Sequence, residues 1–123
     1  MKPVVWVGSS REDLREFPRT VRQRVGTALQ VAQDGDKHPD AKPLRGYHGA
    51  GVLEIVEDFD GDTYRAVYTV HFTEAIYVLH CFQKKSTREN ATARRDLDLI
   101  EARLRRAREF HEQLLREQGR TDD

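Results

Sequence analysis

The chain carries one cysteine, Cys81. An internal disulfide is thereby excluded and a reducing compartment is expected. Cys81 sits in the apolar run Ala75 to Phe82, so its thiol reads as buried and inert. No stretch approaches the roughly 20 apolar residues of a membrane span. The opening Met1 to Gly8 is too short for a secretory signal and runs into a folded pattern. The expectation is a cytoplasmic protein with no membrane partner. Net charge is also missing, with 21 Lys and Arg against 21 Asp and Glu, so bulk electrostatics names no partner. The five histidines His38, His48, His71, His80 and His111, taken with Cys81, show no C-x-x-C or H-x-x-x-H spacing. That argues against a metal centre, and no cofactor is expected. Gly46 to Gly51 is glycine-containing but precedes a strand instead of opening a helix, so it reads as a turn and not a phosphate cradle. Ser9, Ser10 and Ser86 lie in no nucleophile elbow.

What is present is 37% apolar and 34% charged residues, a lean core under a charged surface. A chain of 123 residues points to one domain, taken here as residues 1–117 with a polar tail at 118–123. Val4, Val5, Trp6 and Val7 are strand formers. Ser9 to Asp13 resembles a helix start, giving a short helix from Arg11 to Glu16 that Phe17-Pro18 ends. Val21, Val25, Ala28, Leu29 and Ala32 make one apolar stripe of a second helix. Gly26 interrupts that helix, and close packing on a sheet would explain it. Lys42 to Gly46 is expected to dock back on the body. Val52 to Glu57 is the next strand. Leu97, Ile100, Leu104, Ala107 and Phe110 mark a long last helix, with Thr92 as its cap and Arg103, Arg105, Arg106 and Arg108 on solvated faces. The order is β-α-α-β-β-β-α, an α+β fold with a mainly antiparallel sheet and helices packed on one face.

Everything is organised around Asp62 to Ser86. Thr63 to Phe72 and Ala75 to Phe82 read as two strands, and Gln83-Lys84-Lys85-Ser86 leaves the second. Arg65 is a charge inside a strand, costly unless paired. Lys84 and Lys85 stand where the second strand ends, a usual place for functional groups. Arg65, Tyr68, His80, Lys84, Lys85 and Arg88 together suit a phosphodiester. Metal-free RNA cleavage needs a proton acceptor for the ribose 2′-hydroxyl, a donor for the leaving oxygen, and cations on the phosphate. Arg grips phosphate with its fork, Lys acts as a point charge, and aromatic rings stack on bases. The competing account is an Arg65 ion pair with Glu54 or Glu57 beside two solvated lysines.

The order and spacing of several motifs resemble the RelE/HigB superfamily of type II toxins, in its phage-derived HigB-like branch. They include Val5-Trp6-Val7-Gly8, Phe17-Pro18, Lys42-Pro43-Leu44-Arg45-Gly46, Tyr64-Arg65-Ala66-Val67-Tyr68 and Tyr77 to Ser86. The resemblance implies a RelE-like fold and a metal-independent, ribosome-dependent mRNA endoribonuclease that inhibits translation. It also implies a helix-turn-helix antitoxin as partner. It places Arg65 on the scissile phosphate, and Lys84 and Lys85 in binding or activating RNA. Arg45 and Arg88 are further candidates for phosphate contact. The lysine pair that such toxins carry on the preceding strand is replaced by Leu53-Glu54-Ile55-Val56, and no tyrosine follows Tyr77. The general base therefore stays open among Tyr68, His80 and Lys84. The alternatives are a non-catalytic toxin of the ParE kind, which acts on DNA gyrase, and a chain whose activity has decayed.

Overall fold

The computed structural model describes residues 1–47, 49–84 and 92–119. The elements in chain order are β1 (Val4–Trp6), α1 (Ser10–Arg15), α2 (Arg19–Gln33), β2 (Ala41–Pro43), β3 (Val52–Phe59), β4 (Asp62–Thr69), β5 (Ile76–Lys84) and α3 (Arg94–Glu117). The expected α+β order is present, with β2 added where Lys42 and Pro43 dock on β3. The sheet runs β1-β5-β4-β3-β2. Only β1 pairs in parallel, with β5; the other pairs are antiparallel. Asp60 and Gly61 form the two-residue turn between β3 and β4, at φ of 52° and 83°. Positive φ at both positions matches the right-handed twist of the flanking strands.

Side chains alternate between the faces of the sheet, and both faces are apolar along β4 and β5. Tyr64, Ala66, Tyr68, Val78 and Cys81 meet Val21, Val25, Ala28 and Leu29 of α2, with Leu14 of α1 at the margin. Val67, Tyr77 and Leu79 meet Ile100, Leu104 and Ala107 of α3. Packing on one face thus describes α1 and α2, while α3 covers the opposite face. The reason is the double burial of the central strands, which leaves neither face fit for water.

Three local expectations change. Gly26 is exposed and a Cβ built on it would meet nothing within 4 Å, so it marks no close packing. Thr92 does not cap α3; the cap position is Ala93, and the Thr92 hydroxyl meets Arg65. Arg103 is buried, not solvated. Val67 faces His80 but Tyr68 faces Val78, so Leu79 is the extra residue of a β-bulge. Arg103 Nη1 donates to the Leu79 carbonyl at 2.8 Å and Nη2 donates to Ser9 Oγ at 3.0 Å. Gly8 lies under the same guanidinium at φ +58°, where a Cβ would come within 2.7 Å of Arg103 Nε. Ser10, at the start of α1, donates its hydroxyl to the Val78 carbonyl at 3.0 Å. These contacts fix α1 and α3 to the irregular middle of β5.

Candidate phosphate-binding site

Residues directly opposite in a ladder share a face. Lys84 stands opposite Thr63, Phe82 opposite Arg65, and His80 opposite Val67. Glu54 also stands opposite Val67, and Lys42 opposite Glu54. Arg65, His80, Phe82, Lys84, Glu54 and Lys42 therefore share the face that α3 covers. The start of α3 and the residue Thr92 before it close on this group.

Arg65 is only 4% exposed. Its Nη1 lies 3.1 Å and 3.3 Å from Glu54 Oε2 and Oε1, and 3.4 Å from Thr92 Oγ1. Glu54 is buried as well, and Lys42 Nζ stands 3.8 Å from its Oε1. The Arg65–Glu54 ion pair weighed from the sequence thus exists, and it is what makes a charge tolerable inside β4. A buried pair repays its desolvation only with good geometry and further hydrogen bonds. Here two carboxylate oxygens, a hydroxyl and the Lys42 ammonium take part.

His80 is buried beside this group. Its Nε2 lies 2.8 Å from Asp96 Oδ1 in the first turn of α3, and its ring stacks on Phe82 at 4.6 Å between centroids. The Asp96 carboxylate accepts, so Nε2 carries the proton, and in the neutral ring Nδ1 is the acceptor. Among the described residues nothing hydrogen-bonds that Nδ1. A ring held by a carboxylate with its other nitrogen unspent has the tautomer a general base requires, but that nitrogen is itself buried in this structure.

Of the other residues singled out from the sequence, Tyr68 lies apart from this group. Tyr68 is fully buried on the α2 face, and the sheet separates its side chain from Arg65. Burial pushes its hydroxyl up to about 12. Tyr68 is three residues from Arg65 on the same regular strand, so alternation alone points it to the other face. Arg45 is exposed in the turn after β2. Lys84, half-buried, ends β5, and Lys85 and Arg88 lie outside the described residues. Sequence reasoning missed Lys42, Thr92 and Asp96 as members of the site. A charge alternating with Leu53 and Ile55 pointed to Glu54. Asp96 left no such signal, because its pairing with His80 is created by how α3 crosses the sheet.

The described part of the site sets one acid, Glu54, against Arg65 and Lys42, and a second, Asp96, against His80. A family model described as Phage derived protein Gp49-like (DUF891) matches residues 12–105. That span contains every described residue of the site. No curated protein and no solved structure matches the chain.

Proposed function

Because the chain belongs to the phage-derived Gp49-like family, which is associated with toxin–antitoxin systems, we propose that it is a toxin that cleaves mRNA on the ribosome. The observation that carries this is the shared face of Arg65, His80 and Lys84, with His80 oriented by Asp96. In this reading His80 Nδ1 takes the proton from the ribose 2′-hydroxyl. The oxygen attacks the adjacent phosphorus, the bond to the 5′-oxygen breaks, that oxygen takes a proton from water, and a 2′,3′-cyclic phosphate remains. Arg65 and Lys84 stabilise the charge that grows on the phosphate oxygens. Glu54 sets the direction of the Arg65 fork, and Lys42 adds positive charge at the rim. The partner in this reading is a helix-turn-helix antitoxin, and the targets are mRNA and the ribosome.

The burial of Arg65 against Glu54 favours a second reading, a non-catalytic toxin of the ParE kind that binds a protein such as DNA gyrase. Mapping RNA 5′ ends after induction separates the two. Site-specific cuts are expected; growth arrest with DNA damage and no cuts would overturn the nuclease reading. Arg65→Ala alone leaves the buried Glu54 charge with only the exposed Lys42 beside it, at a cost of up to about 3–5 kcal/mol, and confuses folding with function. The double variant Glu54→Gln with Arg65→Gln removes both charges together. It is expected to keep the circular dichroism of the parent and to lose mRNA cleavage and growth arrest. Retained cleavage would remove Arg65 from the mechanism.

A further inference from the structure

The two edges of the sheet are finished differently. At one edge β2 carries Lys42 and ends on Pro43, a charge and a missing donor that discourage another strand. At the other edge β1 reads Val4-Val5-Trp6, with neither. In an extended strand each residue turns its N–H and C=O to the same side, and successive residues alternate. The Pro3 carbonyl accepts from the Ile76 N–H, and the Val7 N–H donates to the Val78 carbonyl, both towards β5. By alternation Val5 faces β5 as well, while Lys2, Val4 and Trp6 turn their backbone groups outward. Lys2 is satisfied there: its N–H donates to the Gln33 carbonyl at 3.1 Å, and its carbonyl accepts from Gln33 Nε2 at 2.7 Å. No hydrogen bond among the described residues reaches the outward groups of Val4 and Trp6. Beside this edge, a cleft of about 290 Å3 lies between β1 and α3, and Val5, Arg106, Glu109 and Phe110 line it. Phe110 is 52% exposed, although its ring stands 6.2 Å from the Tyr77 ring. Arg106 and Glu109 are exposed, and neither forms an ion pair among the described residues.

We propose that β1 pairs antiparallel with β1 of a second copy of this chain, about a two-fold axis through Val5. Val4 then stands opposite the partner's Trp6, and Trp6 opposite the partner's Val4. Each such pair exchanges two N–H to C=O bonds, so the outward groups of both residues are used and none is left over. The axis reverses the direction of α3 between the copies. Arg106 thereby meets the partner's Glu109, and Glu109 meets the partner's Arg106. A surface with one charge of each sign, one helical turn apart, is complementary to itself under that operation. Phe110 of each copy leaves water beside Val5 and the cleft, as an aromatic anchor does at the centre of an interface. A strand of another protein would match the backbone groups but would leave the paired charges unexplained. Both copies spend the same edge, and Lys42 and Pro43 guard the other, so association closes at two.

The test is sedimentation equilibrium of the full chain. A short edge and one aromatic anchor make a small interface, so a monomer–dimer equilibrium is expected between about 1 and 300 μM. Phe110→Ser, at an exposed position, is expected to keep the parent's circular dichroism and to weaken dimerisation at least about tenfold. Arg106→Glu alone and Glu109→Arg alone each set like charges together across the axis. Each is expected to weaken self-association at least about tenfold. Mixing these two variants restores both opposite-charge pairs, so a dimer of one chain of each is expected to form. Only a two-fold contact through these residues gives that recovery. A dimer indifferent to all three substitutions, or no recovery on mixing, would overturn the proposal. A chain that stays monomeric throughout would overturn it too, and would assign the edge to a strand of another protein.

Discussion

Tyr68 and His80 show how far a single side chain's neighbours decide its use. Both stood in the sequence as proton acceptors near Arg65. The structure buries Tyr68 completely under α2, with its hydroxyl unpartnered among the described residues, and gives His80 a carboxylate on Nε2. Removing an unsatisfied buried hydroxyl is neutral or stabilising. Tyr68→Phe is therefore expected to leave mRNA cleavage unchanged and to gain up to about 1 kcal/mol in urea unfolding. His80→Gln is expected to lower cleavage by about 100-fold or more at similar stability, since a positioned base contributes on that order. A loss with Tyr68→Phe and none with His80→Gln would reverse the two roles. Part of the difference was legible, since Tyr68 lies three residues from Arg65 on one strand and so faces the other side, whereas the tie of His80 to Asp96 arises only from how α3 crosses the sheet.

At the level of elements, the helices were legible from their stripes. Val21, Val25, Ala28, Leu29 and Ala32 are all buried, as are Ile100, Leu104 and Ala107. Polar positions were less so. Gly26 looked like a contact point and is an exposed interior residue of α2 with open space beside it. It costs helix stability with nothing gained in packing, so Gly26→Ala is expected to raise unfolding free energy by about 1 kcal/mol, read from the shift of a denaturant midpoint. No gain would mean that the Gly26 position is constrained in some way its surroundings do not show. Arg103 erred in the opposite direction. Its place among Arg105, Arg106 and Arg108 suggested water, yet it lies against the Leu79 carbonyl and Ser9. Charge at a helix position says which residues are able to reach solvent, and only the packing says which do.

For the molecule as a whole, the α+β class, the antiparallel meander of β3, β4 and β5, and the docking of Lys42-Pro43-Leu44 were readable from strand patterns and turn residues. The faces were not, since an apolar run along β5 does not say which helix lies on which side. The same split of the faces puts the Arg65 group and the buried Glu57 on opposite sides of one sheet. Glu57 adds a pH dependence to global stability. Burial, and then the hydrogen bond to the Asp40 carboxyl, push its folded value up to about 7 from the ordinary 4.5, so the folded state binds more protons across that interval. Its stabilising contribution is therefore full below about pH 4.5 and is lost as pH rises through 7. Glu57→Gln abolishes this loss. Relative to the parent, the variant is expected to gain on the order of 3 kcal/mol between pH 4.5 and 8.5, measured by urea unfolding at both ends. A constant difference across that range would show that Glu57 ionises at its ordinary value.

Arg103 also bears on the order in which a growing polypeptide acquires its shape. The residue joins Ser9 to α3 across 94 positions, and Thr92 and Asp96, which hold Arg65 and His80, are translated only shortly before it. A ribosome that has finished β5 but not α3 therefore carries a chain with one bare sheet face, an unclaimed bulge carbonyl and a His80 without its Asp96 partner. In the nuclease reading, His80 therefore gains the carboxylate that orients it only once the first turn of α3 has been made.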